Sequence, residues 1–304
     1  MLRRVLRHVR RKVLRATLRR PLESAQRAGV GQERAYAIWK HVERTGRLPR
    51  LRRPRSLNDR LLAKALNDRR DFIVQAADKI AVRDYVAGRV GSDVLIDVLY
   101  AGGNLDDCPL EQFDTPYVVK ASHAAGREWM RIVTDPAGAD FNALREAARR
   151  WQQSEYQAGT HEWWYGRMLK RVIVERFVGD PAAGPPNDYK LWVIAGRVVL
   201  IQLDVGRGQN QRRDFYSPGW ERFDVRRRYP NLDRLHERPP TLARMIEVAE
   251  KLAVDTPFVR IDLYDEAGTV RFGEMTHCPA AGFGQWSDPT FDEWLATRWS
   301  EGPA

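Results

Sequence analysis

Within SLNDRLLAKALNDRR, Leu57, Leu61, Leu62 and Leu66 fall on one face of a 3.6-residue repeat, so the spacing predicts a helix that Ser56 is placed to cap. A helical segment at about 32–45 precedes it, across a basic, proline-containing loop at 46–55. DKIAVRDYVAGRVG reads as a further helix running from a capping Asp78 to Gly91. Leu144, Ala148 and Trp151 mark the inward face of a helix over Phe141–Tyr156. Leu242, Met245, Ile246, Ala249 and Leu252 mark another, opened by Thr241, and a last helix is expected at about 289–299. Strand character appears at 94–100, Tyr117–Ser122, Trp129–Val133 and Arg171–Val178, then in a hairpin over 188–204 turning at Ala195-Gly196, and finally at 258–264 and 270–276. GDPAAGPPN reads as a loop, and 205 to about 240 as a polar, arginine-rich connection. The mixture predicts an α+β chain without internal repeats.

The segment FVRIDLYDEAGTVRFGEMTH carries the most chemistry. Val259, Ile261 and Leu263 alternate with Arg260, Asp262 and Tyr264, which gives the strand one core face and one polar face. A hairpin turning at Gly268 sets Asp262 opposite Glu274 and Arg260 opposite Thr276. Facing carboxylates repel unless a cation lies between them. Two acids with open coordination positions suit Mg²⁺, which takes one or two protein carboxylates plus phosphate oxygens; the other reading is a solvated hairpin in which Arg260 neutralises one acid.

Lys120 in YVVK and Lys190 in DYKLWVI stand inside apolar strands, where lysine is uncommon. A phosphate would supply the missing counter-charge, with the turn His123-Ala124-Ala125-Gly126 folding over it through backbone N–H groups; the alternative is lysines snorkelling from edge strands. Glu175, in RVIVERF, is either a strand-end acid at a ribose or base or a solvated side chain. Arg207, Arg212 and Arg213 form a basic patch suited to carboxylate or phosphate. Trp163, Trp164 and Tyr165 suit either stacking on a ring or anchoring in the core. His123, His277 and Cys278 make no nucleophile arrangement.

Composition narrows the partners. The 304 residues carry a net charge of +11, but the first twenty hold eight arginines and one lysine with no acid, which leaves the rest of the chain nearly neutral. Nucleic-acid binding is therefore not expected. In the basic arm, Leu2, Val5, Leu6, Val9 and Val13 recur at helical spacing between the cations, so residues 1–20 suit an anionic membrane surface or packing on their own domain. The two cysteines, Cys108 and Cys278, lie far apart, and no stretch approaches the roughly 20 apolar residues of a membrane span. A cytoplasmic protein is expected, with association at the inner face of the membrane through the arm.

Taken together, SLNDRLLAKALNDRR, DKIAVRDYV, YVVKASHAAG, PNDYKLWVIAGR, RRDFYSPGW, PFVRIDLYDEAGTVRFGEMTH and PAAGFG resemble the ATP-grasp enzymes, and specifically their TupA-like branch, named for teichuronopeptide biosynthesis, over roughly residues 55–300. The resemblance implies two α+β subdomains gripping ATP, a small one over 116–180 and a catalytic one over 186–304, behind a basic helix at 1–22 and an α/β region at 23–115. It implies Lys120, His123, Gly126, Glu175 and Lys190 at the nucleotide, Asp262, Glu274 and Thr276 at Mg²⁺, and Arg260, Lys190 and Arg213 at the reacting groups. Thr276 stands where many relatives have Asn, and the phosphate turn is poorer in glycine than the family's. The activity implied is carboxylate–amine ligation through an acyl phosphate, with ATP giving ADP and phosphate. The acid would be a uronic acid or an amino acid, in the making of a cell-envelope polysaccharide. A glycosyltransferase or a sugar kinase is the competing expectation, and the oligomeric state is left open.

Overall fold

The computed structural model describes residues 31–206 and 210–299; the basic helix expected at 1–22 and Arg207 lie outside the described residues. Helix α1 (Gln32–Thr45) is followed by α2 (Leu57–Asn67), which opens with a capping box: Ser56 Oγ accepts from the Asp59 N–H and the Asp59 carboxylate accepts from the Ser56 N–H. All four leucines of the α2 face are buried, each contributing roughly 1.5–3 kcal/mol. A short helix α3 (Asp71–Ala77) follows that the sequence reading did not anticipate, and α4 covers Val82–Val90. Asp78 caps a turn rather than α4 itself, its Oδ1 accepting from the N–H groups of Ile80 and Ala81.

The strands form two antiparallel sheets. The first contains β1 (Val98–Gly102), β2 (Tyr117–Ala121), β3 (Met130–Val133) and β4 (Val172–Arg176), in the order β1-β4-β2-β3. Strand β1 starts at Val98 rather than at 94, because Ser92–Val94 forms a single 3₁₀ turn that sends Val94 into the core. Helix α5 (Phe141–Gln153) covers this sheet with Leu144, Ala147, Ala148 and Trp151. Its first turn is capped by Asp140, which accepts from the Ala143 N–H.

The second sheet contains β5 (Asp188–Ile194), β6 (Arg197–Val205), β7 (Arg212–Tyr216), β8 (Phe258–Glu266) and β9 (Thr269–Thr276), in the order β7-β6-β5-β8-β9. Strand β7 lies inside the stretch read as a polar connection; its acid Asp214 is buried against Asn231, the Leu232 N–H and Tyr216, so the polarity that masked it is satisfied internally. Helix α6 (Leu242–Leu252) packs on one face of the sheet through Leu242, Met245, Val248, Ala249 and Leu252. Thr241 precedes α6 without capping it, since its hydroxyl donates to Asp265 instead. The chain closes with α7 (Pro289–Arg298). No helix among the described residues is long and apolar enough to cross a membrane.

One irregularity sets the register on which the site depends. The β8–β9 hairpin turns tightly at Ala267-Gly268, both at positive φ, and pairs Leu263 with Phe272. Continued without interruption, that register would set Asp262 opposite Gly273. A bulge at Gly273 inserts one residue, so Asp262 meets Glu274 and Arg260 meets Thr276 on the polar face. Glycine is needed there: an added Cβ would lie 3.0 Å from both the Asp262 carbonyl oxygen and the Tyr264 ring.

Candidate functional site

Alternation along five paired strands assembles the site. Lys190 on β5 faces Gln202 on β6 and Asp262 on β8; Asp188 faces Asp204, which in turn faces Arg213 on β7. Every second residue shares a face, so Arg213, Lys190, Arg260 and four acids converge on one side of the sheet while α6 covers the other. Lys190 Nζ donates to Asp188 at 2.5 Å and to Asp262. The Arg260 guanidinium holds both Asp262 oxygens, at 2.6 and 2.7 Å, reaches Glu274 at 2.9 Å and takes the Thr276 hydroxyl at 3.0 Å. Arg213 clasps Asp204 with two bonds, of 2.5 and 2.7 Å, and lies over the Tyr229 ring.

The electrostatics follow from crowding in a dry place. Burial pushes the Asp262 carboxyl up to about 6 despite Arg260 and Lys190, with Glu274 and Asp188 adding to the rise. Burial also works against the charge on Glu274, but Arg260, Lys190 and Lys79 outweigh it and hold that carboxyl at about 2. The pair therefore divides its roles, with Glu274 the firmly ionised member.

In the first sheet, Lys120 Nζ donates to Glu175 at 2.6 Å, and Arg83 of α4 takes the other Glu175 oxygen at 3.2 Å. Glu175 is thus engaged by two cations. His123 is buried beneath α5, with Nε2 at 3.2 Å from the Trp151 carbonyl and its ring edge-on to Trp129, so its side chain faces the small core and not the cleft. Trp163 and Trp164 are core anchors, and Trp163 Nε1 donates to the Ala65 carbonyl. Buried His277 sits with Nδ1 beside Lys64, and Cys278 is buried and free.

Three cavities run along the polar face. A slot of about 80 Å³, walled by Ile96, Val118, Ile132, Phe177, Val178 and Pro185, has Lys120 in its lining. A cavity of about 380 Å³ is lined by Lys79, Gly126, Arg260, Glu274 and Thr276. The largest, about 1190 Å³, holds Lys190, Arg213 and Arg260; eight basic side chains line it against one carboxylate, Glu162. Gly126 needs its positive φ of 108° in the turn beside Lys79, and a Cβ there would collide with Glu128.

Several lining residues escaped the sequence reading. Lys79 Nζ donates to the Ala124 carbonyl in the turn 123–126; burial pushes its ammonium down, and Glu274 opposes that. Its signal was its place beside Asp78 in DKIAVRDYV. Arg227 is sandwiched between Trp192 and Trp286 at 4.9 and 5.1 Å, with Gly284 leaving the room its guanidinium occupies. Glu162 was detectable as an acid inside an aromatic run.

The donor set at Asp262 and Glu274 fits Mg²⁺ in kind: hard carboxylate oxygens, a neighbouring hydroxyl from Thr276, and a Glu274 side chain 39% exposed toward the cavity. Among the described residues no three His, Cys, Asp or Glu side chains cluster as a metal cage, so further ligands would come from phosphate and water.

The family model for TupA-like ATP-grasp proteins matches residues 59–299. Among solved structures, the chain is similar to D-alanine–D-alanine ligase from Bacillus anthracis, at 14% identity over 75% of this chain and 70% of that one, with a TM-score of 0.42. It is also similar to L-amino acid ligase from Bacillus licheniformis, at 15% identity over 69% and 46% of the two chains, TM-score 0.43. N5-carboxyaminoimidazole synthetase from Staphylococcus aureus matches at 10% identity over 67% and 45%, TM-score 0.37. No curated protein sequence matches significantly.

Proposed function

Since the chain belongs to the TupA-like ATP-grasp family, we propose that it is an ATP-dependent carboxylate–amine ligase acting in the synthesis of an acidic cell-envelope polysaccharide of the teichuronopeptide kind. The observation that carries this reading is the register-locked cluster of Lys190, Arg260, Asp262, Glu274 and Thr276, which opens onto two cavities that meet at Arg260. Residues 116–180, with β1 (Val98–Gly102) completing their sheet, serve as the small gripping subdomain and 186–304 as the catalytic one. The apolar slot beside Lys120 takes the base, with Glu175 on the adenosine side. Lys79, Lys190 and the turn ending at Gly126 take the phosphates.

Mg²⁺, held by Asp262 and Glu274 with the Thr276 hydroxyl beside them, would neutralise phosphate charge. In the first step a carboxylate oxygen bonds to the γ-phosphorus and the bond to ADP breaks. Arg260 and Lys190 offset the charge that builds on the transferring phosphoryl oxygens. In the second step an amine attacks the acyl carbon and phosphate leaves; here the walls of the large cavity mainly hold the reactants together. Eight basic side chains suit an anionic acid, a uronic acid or an acidic amino acid, with Arg213 holding its carboxylate. The arm at 1–20 would keep the enzyme on the inner face of the membrane, beside lipid-linked intermediates.

The test is ADP release by the full chain given Mg·ATP with pools of uronic acids and amino acids. Release that needs both acid and amine, and falls by about 10²-fold or more in Glu274→Gln, is expected. Release driven by a hydroxyl compound alone would make the protein a kinase.

A further inference from the structure

Glu162 lies between α5 and β4 in the chain, and the residue as a whole is 8% exposed. Among the described residues, several other buried acids are held by cations: Asp59 by Arg47, Glu175 by Lys120, Asp204 by Arg213 and Asp262 by Lys190 and Arg260; Asp292 instead takes a hydrogen bond from Asn58. Among the described residues no hydrogen bond or ion pair reaches the Glu162 carboxylate, although an unpartnered buried carboxylate is costly. Its backbone is fixed: the N–H donates to Thr160 Oγ1 at 3.2 Å and the carbonyl accepts from the Tyr165 N–H at 3.2 Å. Trp163 and Trp164, immediately after it, are locked into the core. The side chain is held in place while its charged end is left open.

That open end lies where two cavities meet. Glu162 lines the cavity that contains Lys79, Gly126 and Glu274 and also the large one that contains Lys190 and Arg213; Arg260 and Arg228 are the charged residues that share this position. Among the described residues no other carboxylate lines both. On the ligase reading, the two cavities hold the phosphates and the substrates, so the acyl carbon and the incoming nitrogen come together at this seam.

We infer that Glu162 is the proton acceptor for the incoming amine. The inference rests on the ligase reading and adds to it a group that the cluster around Arg260 cannot supply, because Asp262 is clasped by Arg260 and Lys190. At neutral pH an amine arrives as an ammonium without a free electron pair. An N–H bond breaks, the proton passes to a Glu162 oxygen, and the released pair forms the bond to the acyl carbon. The bond from that carbon to the phosphate oxygen then breaks; phosphate leaves with the electron pair and takes the second nitrogen-bound proton. Glu162 afterwards returns its proton to water.

The surroundings support the assignment. Burial pushes the Glu162 carboxyl up to about 8, which brings it close to an ammonium and makes the transfer nearly even instead of steeply uphill; about a tenth of the sites are ionised at pH 7, so the wild-type amide rate should rise toward pH 8. The titratable groups facing it are Tyr156, Tyr165 and Cys278, with Arg228 and Arg260 on the cavity wall. Burial raises Tyr156 to about 12 and pushes Tyr165 and Cys278 well above their usual values, so all three stay neutral and none competes for the proton.

The test compares two nucleophiles on the full chain with Mg·ATP and the pool of uronic and amino acids. Hydroxylamine is uncharged at neutral pH and traps an acyl phosphate as hydroxamate without needing a base; amino-acid amines need one. In Glu162→Gln, amide formation is expected to fall by about 10²-fold or more while hydroxamate formation falls less than about twofold, and the deficit should shrink as pH rises. Glu162→Asp should recover part of the rate. Equal losses with both nucleophiles would make Glu162 a structural residue, and an unchanged amide rate would remove it from the chemistry; both outcomes overturn the inference while leaving the ligase intact. A wild type that yields neither hydroxamate nor acid-dependent ADP would instead overturn the ligase reading, and this inference with it.

Discussion

Each sheet carries a lysine within an apolar strand, and the two are accommodated in opposite ways. In the four-stranded sheet, Lys120 and Arg83 share a single carboxylate, Glu175, so that cluster has one cation to spare. In the five-stranded sheet, Lys190, Arg260 and Arg213 face Asp188, Asp204, Asp262 and Glu274, so acids dominate that cluster among the described residues, and the Glu274 side chain is 39% exposed. A spare cation in a half-buried place attracts phosphate, and an accessible carboxylate attracts a divalent cation. On the proposed ligase reading, the two sheets supply the two halves of a metal–nucleotide site.

The largest expected effect from breaking this contrast is on stability. Lys190→Met removes the ammonium that Asp188 and Asp262 share and leaves Asp262 leaning on Arg260, and should cost about 3–5 kcal/mol in denaturant unfolding. Lys120→Met leaves Glu175 still paired with Arg83 and should cost only about 1–2 kcal/mol. Equal losses at the two positions would contradict the difference drawn between the sheets.

A smaller effect concerns the tether between them. Arg176, at the end of β4, holds Glu266 of β8 through two bonds of 2.8 Å, and Arg271 adds a third. The hydrogen bonds from Arg176 lead in holding the Glu266 carboxyl at about 2, below its ordinary 4.5, against opposition from burial. A depressed carboxyl contributes stability that is complete above the unfolded value and is lost as pH falls through the folded one. Wild-type melting temperature should therefore drop between about pH 4.5 and 2, and Glu266→Gln should flatten part of that drop while lowering stability at pH 7. A wild type and variant with parallel acid limbs would show that the tether does not report on the pair.

How far the sequence revealed this architecture varied with distance along the chain. Apolar periodicity located α2, α5 and α6 because each buries one stripe against a sheet, and alternation located the β8–β9 hairpin. It paired Asp262 with Glu274 correctly, but by assuming a symmetrical turn; the tight Ala267-Gly268 turn and the bulge at Gly273 reach the same pairing by another path. Strand β7 was hidden because its acid Asp214 is satisfied by Asn231, far along the chain. Lys79 and Glu162 left only faint signals, a place beside Asp78 and an acid in an aromatic run, because the cavity each side chain lines is decided by long-range packing. What the sequence did not reveal at His123 is that its ring packs against the Trp151 carbonyl of α5, leaving the turn's backbone as the part open to a nucleotide on the proposed reading.

The central claim of the proposal is that the accessible Glu274 carboxylate of one sheet and the spare cation of the other together bind a metal–nucleotide complex. Calorimetric titration of ATP into the full chain, with Mg²⁺ and then with the metal removed by chelation, tests it most directly. The account predicts that Mg²⁺ tightens ATP binding at least about tenfold, on the order of 1.4 kcal/mol, and that Glu274→Gln loses this dependence. Wild-type ATP binding of equal strength with and without the metal would contradict it.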